Sequence, residues 1–181
     1  MKRIGITIGL LAGALLLLWP LAQAEQDSGE TVVTWTIEGC TIELEAPEEI
    51  ELGTATPGAI LTSDPKEGEA EIESTCAYTV TINLVGFTKD GDAVSGDLLN
   101  TLLAQYSFRT ESVSPASQVD NLQPDYTTFG SIGDVKNVCG SKTTAKPPFK
   151  NHKCDLQFRV DTTSLPEGEY SAYHIVTAST P

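Results

Sequence analysis

The sequence predicts an all-β sandwich stapled by disulfides. Three observations carry this reading. Apolar and polar residues alternate in several short runs; Gly- and Pro-rich turns separate them with almost no helical periodicity; and four cysteines sit in a chain that opens like an exported protein.

The export reading comes first because the cysteines depend on it. Lys2 and Arg3 precede an uninterrupted apolar stretch from Ile4 to Leu18, Pro20 breaks it, and Ala22-Gln23-Ala24 supplies the small-x-small pattern of a cleavage site before Glu25. The apolar core is shorter than the ~20 residues a spanning helix needs, and no charged stop-transfer cluster follows. No cysteine lies at the cleavage point, which argues against a lipid anchor. Residues 1–24 are therefore expected to be a cleaved signal peptide and 25–181 one domain, with no membrane association after cleavage. The destination is the periplasm, the cell surface or the medium.

Cleavage removes two of the 11 basic residues and none of the 25 acidic ones, leaving a formal charge of −16. Such a chain repels nucleic acid and anionic lipid, so neither is expected as a partner. The simplest role of the charge is solubility at an exposed surface.

Cys40, Cys76, Cys139 and Cys154 all lie beyond the signal, and an even count in an exported chain predicts two disulfides. Their spacings of 36, 63 and 15 residues offer neither the close pairs that zinc prefers nor a CxxC redox motif.

The strongest strand signal runs from Ala70 to Leu84. Ala70, Ile72, Ser74, Cys76, Tyr78, Val80, Ile82 and Leu84 share one face, and Glu71, Glu73, Thr75, Thr79, Thr81 and Asn83 the other. This is a half-buried strand, long and bent, with Cys76 pointing inward. A second run spans Thr31 to Ala46. Val33, Trp35 and Ile37 have one parity and Cys40, Ile42, Leu44 and Ala46 the other, with the switch at Gly39, where a bulge or a crossing between sheets is expected. Cys40 then also faces a core, and a Cys40–Cys76 bridge between the first two strands follows, contributing roughly 3–4 kcal/mol by closing that loop.

Pro47–Gly58, with Ile50 and Leu52, reads as a short strand running into the Pro57-Gly58 turn, and Asp90-Gly91-Asp92 as a turn after the long strand. Asp97–Gln105 is either a short capped helix, with Leu98, Leu99, Leu102 and Leu103 on one face, or a lead-in to a strand through Tyr106 and Phe108. Residues 111–153 read as a loop-rich region around one or two short strands, in which a Cys139–Cys154 bridge pins an excursion with little core of its own. Alternation returns at Leu156, Phe158 and Val160, and a last strand reaches about Thr177.

No catalytic constellation emerges. GxSxG, HExxH and P-loop patterns are absent, His152 is expected in a loop, and His174 in the last strand with an ordinary partner. Asp90, Asp92 and Asp97 are a weak calcium candidate, because oxygen ligands from one Gly-containing loop suit that ion; a solvated acidic turn is the simpler reading. No cofactor is expected. Tyr170 after Leu165-Pro166-Glu167-Gly168 resembles the tyrosine corner of Greek-key sandwiches, a structural feature. Trp35 is a core plug or a partner-facing aromatic.

Several of these residues carry a family resemblance. Cys40-Thr41-Ile42-Glu43-Leu44 followed by Ile50-Glu51-Leu52-Gly53-Thr54-Ala55-Thr56-Pro57-Gly58 resembles the start of secreted spore-coat-U-like and chaperone–usher pilin-like domains. Glu71–Cys76 with Tyr78–Ile82 is similar to their second strand with its paired cysteine, and Leu165–Tyr170 to the entry of their final strand. Residues 86–153 match nothing in that pattern, and the second cysteine pair departs from it. The resemblance implies an immunoglobulin-like Greek-key sandwich and a non-enzymatic structural or assembly subunit of a surface fibre, pilus or coat. In pilin-like domains one strand is missing and a neighbour's N-terminal extension fills the groove, sometimes after a chaperone has done so. Val33, Trp35 and Ile37 are the candidate donor strand; the shortness of the segment and the lack of a linker favour it as the domain's own first strand. The alternatives are a secreted carbohydrate- or protein-binding module using Tyr126, Phe129 and Phe149, and an exported hydrolase of unfamiliar design.

Overall fold

The described residues are 39–181 of a computed structural model, so the signal segment and the Thr31–Ile37 run lie outside them. In chain order the elements are β1 (Ile42–Glu45), β2 (Ile60–Thr62), a 3-10 turn (Pro65–Gly68), β3 (Glu69–Ser74), β4 (Thr79–Lys89), β5 (Asp92–Ala93), α1 (Gly96–Gln105), β6 (Tyr106–Ser114), β7 (Val119–Asn121), β8 (Thr127–Thr128), β9 (Val135–Ser141), β10 (Phe149–Asp161) and β11 (Tyr170–Ser179). They form two packed antiparallel sheets. Sheet A has the order β1-β3-β10-β6-β8, with β2 also on β10; sheet B has β11-β4-β9-β7, with β5 also on β4. The fold is the expected all-β sandwich, with its aliphatic and aromatic core between the sheets.

The Ala70–Leu84 run is two strands rather than one. β3 belongs to sheet A and β4 to sheet B, and the chain crosses between them at Thr75–Tyr78. Ala70, Ile72, Val80, Ile82 and Leu84 are nonetheless all fully buried. Both strands point into the same core, so the crossing keeps the phase of the alternation and leaves no break in the pattern. Cys76 falls in the crossing and is half-buried, while Cys40 is exposed. The expected Cys40–Cys76 bridge is present, with Cα atoms 5.6 Å apart, but at the rim of the sandwich instead of inside it.

The second bridge corrects a larger expectation. Cys139 on β9 and Cys154 on β10 are fully buried, and their bond joins sheet B to sheet A through the core. It pins no excursion. Residues 111–153 hold the end of β6, all of β7, β8 and β9, and the start of β10, and β9 lies between β4 and β7 in its sheet. Two irregularities hide these strands from a parity count, since the register shifts between Val80 and Thr81 against β9 and between Asp155 and Leu156 against β6. In the opposite direction, Ile50–Leu52 forms no strand; both apolar side chains pack on the core from an irregular segment.

Of the two readings of Asp97–Gln105 the helix holds. Leu102 is buried, Leu98, Leu99 and Leu103 pack on the core, and β6 follows without a loop. Asp90-Gly91 forms the two-residue connection between β4 and β5, with Lys89 opposite Asp92. Both turn residues have positive φ, 53° and 87°, as the hairpin turn that matches strand twist requires.

Candidate functional site

The side of the sandwich where β1 and β11 run near each other is built differently from the rest. β1 is the edge of sheet A and β11 the edge of sheet B, and β11 is paired only with β4, over the full length Tyr170–Ser179. Among the described residues nothing hydrogen-bonds to its other edge over these ten positions. The inward side chains show the same incompleteness. Val80, Ile82 and Leu84 on β4 are sealed at 0 % exposure, whereas Ala172, His174, Val176 and Ala178 on β11, and Ile42 and Leu44 on β1, are only half-buried. Among the described residues the inner sides of these two sheet edges are thus only partly covered, and β11 carries unpaired backbone donors and acceptors along its outer edge. Sequence reasoning placed β11 but not this partial cover, which is a property of which strand lies beside it.

The aromatic and histidine groups belong to the core. His152 lies within β10, not in a loop, and is fully buried. Its Nε2 is 3.0 Å from Gln118 Oε1, which can only accept, so Nε2 carries the proton and Nδ1 accepts from the Tyr78 hydroxyl at 2.7 Å. His174 on β11 is 2.9 Å from the Tyr106 hydroxyl through Nε2 and stacks on that ring. Burial lowers the pKa of both histidines, that of His174 to about 4 with a small opposing effect from the Asn83 backbone. Both are neutral at pH 7, and neither has a nucleophile as neighbour.

A pH dependence follows with a definite sign. The unfolded chain protonates His174 near pH 6.5 while the folded chain does not until about pH 4, so the unfolded state binds more protons between those values. Stability is fully present above pH 6.5 and falls as the pH drops toward 4. Urea unfolding at pH 7 and pH 5 is expected to show His174 contributing a loss of about 2 kcal/mol over that interval. The His174→Gln variant should lack this component. Equal pH slopes for the two proteins would refute it. Asp90, Asp134 and Asp161, whose hydrogen bonds hold their pKa values below the usual range, act only at lower pH.

The remaining candidates are distributed as follows. Asp90 accepts from the Glu169 backbone at 2.8 Å and pairs with Lys89 at 3.1 Å. Among the described residues no three acidic, histidine or cysteine side chains are grouped to hold a metal ion, so Asp90, Asp92 and Asp97 are not brought together. The Tyr170 hydroxyl donates to the Pro166 carbonyl at 2.7 Å, the expected corner. Phe129 and Phe149 are core residues at 2 % and 1 % exposure, which removes them as a sugar platform. The Tyr126 ring lies near the guanidinium groups of Arg109 and Arg159, 4.7 and 5.2 Å from its centroid.

The outer faces of the two sheets differ in charge. On sheet A, Glu43 opposes Glu73 and Glu45 opposes Glu71, and these four carboxylates with Leu44 line a shallow cleft of about 530 Å³. Lys153 pairs with Glu69 at 2.6 Å and reaches Glu71 at 3.8 Å. On sheet B the outward positions of 79–85, 135–137 and 171–179 hold Thr, Asn, Val, Ser, Tyr and Ile, and the charged Asp120 of β7, in the row of Thr79 and Gly140, is paired with Lys142 at 3.9 Å. None of the described helices is long and apolar enough to cross a membrane. No family model matches the chain, and no curated protein or solved structure shows a significant match to it.

Proposed function

We propose that the protein is a non-enzymatic, exported structural subunit of a surface fibre, pilus or coat, and that subunits join by adding a strand beside β11. The observation that carries this is the strand order. An immunoglobulin-type sandwich sets strands A, B, E and D in one sheet and C, F and G in the other. β1-β3-β10-β6 agrees with the first order and β11-β4 with F and C, while β8, β9 and β7 lie outside that scheme; the place of G, beside β11, holds no described strand. A seventh strand of alternating apolar residues would complete the ladder and seal Ala172, His174, Val176, Ile42 and Leu44. Val33, Trp35 and Ile37 have that alternation. The two disulfides agree with an exported chain.

The test uses a synthetic peptide covering Gly29–Glu38, added to protein lacking residues 25–37. Saturating peptide is expected to raise the thermal midpoint by about 5–10 °C. Serine at Val33, Trp35 and Ile37 together should abolish the rise. Protein that keeps residues 25–37 should form multimers that dilution dissociates slowly. An unchanged midpoint with peptide, together with a monomer at every concentration, would end the proposal.

A further inference from the structure

The outer face of sheet B is the second feature that sets this molecule apart from an inert acidic sandwich. Ile175 on β11, Asn83 on β4 and Val135 on β9 are register partners in one row across three strands. Val135 and Ile175 are each 54 % exposed, Tyr173 is 53 % and Val85 46 %. Ile132, 38 % exposed, lies in the turn where Gly133 and Asp134 hydrogen-bond to Leu84 at the margin of the row. Thr79, Thr81, Asn137, Ser171, Thr177 and Ser179 share the face, and Lys136 alternates away from it to pair with Asp134 at 3.0 Å. Contiguous apolar groups in a polar, largely uncharged setting mark a docking surface.

We propose that this face binds the same face of a second copy of the chain, as a weak lateral contact separate from the strand-addition edge of β11. Charge selects the occupant. With a formal charge of −14, two copies meeting through sheet A would set the glutamates of β1 and β3 against each other. Sheet B is the broad strand face with the least charge, its Asp120 on β7 being paired with Lys142 at 3.9 Å, so copies can meet there with little like-charge opposition. A basic partner would be drawn to the glutamates of sheet A, whereas sheet B offers only Asp120, already paired with Lys142. Pairing of this face with its own copy would be the isologous contact of a two-fold pair.

Its size fixes its strength. Ten residues of strand extend about 33 Å and three strands about 14 Å, so a pair of copies buries on the order of 900 Å² in total. That is below the range of stable dimers and within that of transient contacts. The dissociation constant belongs near 100 µM to 1 mM, tight enough only where a polymer or a crowded surface presents many copies together.

Sedimentation of the protein as secreting cells process it, from about 20 µM to about 1 mM, tests this. Average mass should rise with concentration, reverse rapidly on dilution, and rise further in high salt, because screening relieves the net repulsion. Ile175→Lys and Val135→Lys should each weaken association at least tenfold while leaving the thermal midpoint unchanged, since both side chains are half out of the fold. Deleting residues 25–37 should leave the rapid association intact and remove only the slowly reversing multimers of strand addition, so either proposal can fail alone. A monomer throughout, or association indifferent to both substitutions, overturns the proposal. Loss of rapid association on deleting 25–37 assigns the face to that segment and overturns it too. So does binding to a glycan array that the lysine variants abolish without any self-association.

Discussion

Replacing Cys139 and Cys154 together with alanine is expected to remove about 4 kcal/mol of stability and lower the thermal midpoint by about 12 °C. Closing a 15-residue loop contributes about 3 kcal/mol by restricting the unfolded chain, and the lost sulfur packing adds to it because both side chains have no exposure. Cys40 and Cys76 close a longer loop of 36 residues, so chain entropy alone would rank that bond higher. The structure reverses the order. Cys40 is exposed, and the bond anchors β1, a four-residue strand at a sheet edge. Without it β1 can detach locally while the rest stays folded. Denaturant midpoints of the two double variants give the ranking, and hydrogen exchange should show fast amides confined to β1 when Cys40 and Cys76 are replaced. A loss under about 1 kcal/mol for the Cys139/Cys154 variant would show that the bond is not a structural tie.

Gly68→Ala is the second substitution expected to be severe, at about 3 kcal/mol. A methyl group at Gly68 would lie 1.9 Å from the Leu156 carbonyl oxygen and 2.9 Å from its carbon. The obstacle is backbone, and it belongs to β10, which β3 and β6 hold from both sides. No side chain can swing away to make room. The Pro65–Gly68 turn must lift off β10, taking with it the contact that aligns the start of β3. Gly86→Ala is the matched control, because a methyl there meets nothing within 4 Å. It should change stability by about 0.5 kcal/mol or less. Equal unfolding midpoints for the two variants would mean that the turn docks loosely.

The parts of the fold legible in the sequence are those where local pattern and environment coincide. The inward parity of β3 and β4, the Asp90-Gly91 turn, the Tyr170 corner and the Leu face of α1 each depend on residues within a few positions of one another. What stayed hidden depends on partners far along the chain. The crossing at Thr75–Tyr78 is silent because the two sheets share one core. β9 is silent because bulges interrupt its register and because a pattern such as Val135-Lys136-Asn137 has no periodicity to read. His152 looked like a loop residue because its partners, Tyr78 and Gln118, are 74 and 34 positions away. The half-burial of Ala172, Val176 and Ala178 on β11 and of Ile42 and Leu44 on β1 is a matter of strand order, which no local pattern records.

The two disulfides also determine how far this molecule can lengthen when pulled from its ends. The loops they close do not overlap, so 36 and 15 residues stay out of the load path even after the sheets have come apart. Of the chain from Gly39 to Pro181, only about 90 residues can then straighten, for an extension of about 300 Å against roughly 500 Å with the bonds reduced. The buried bond sits where sheet meets sheet, so the first tearing of β4 from its neighbours leaves β9 still tethered to β10. A sandwich built this way gives ground under tension in limited steps, and its two halves stay together for recovery when the force is released.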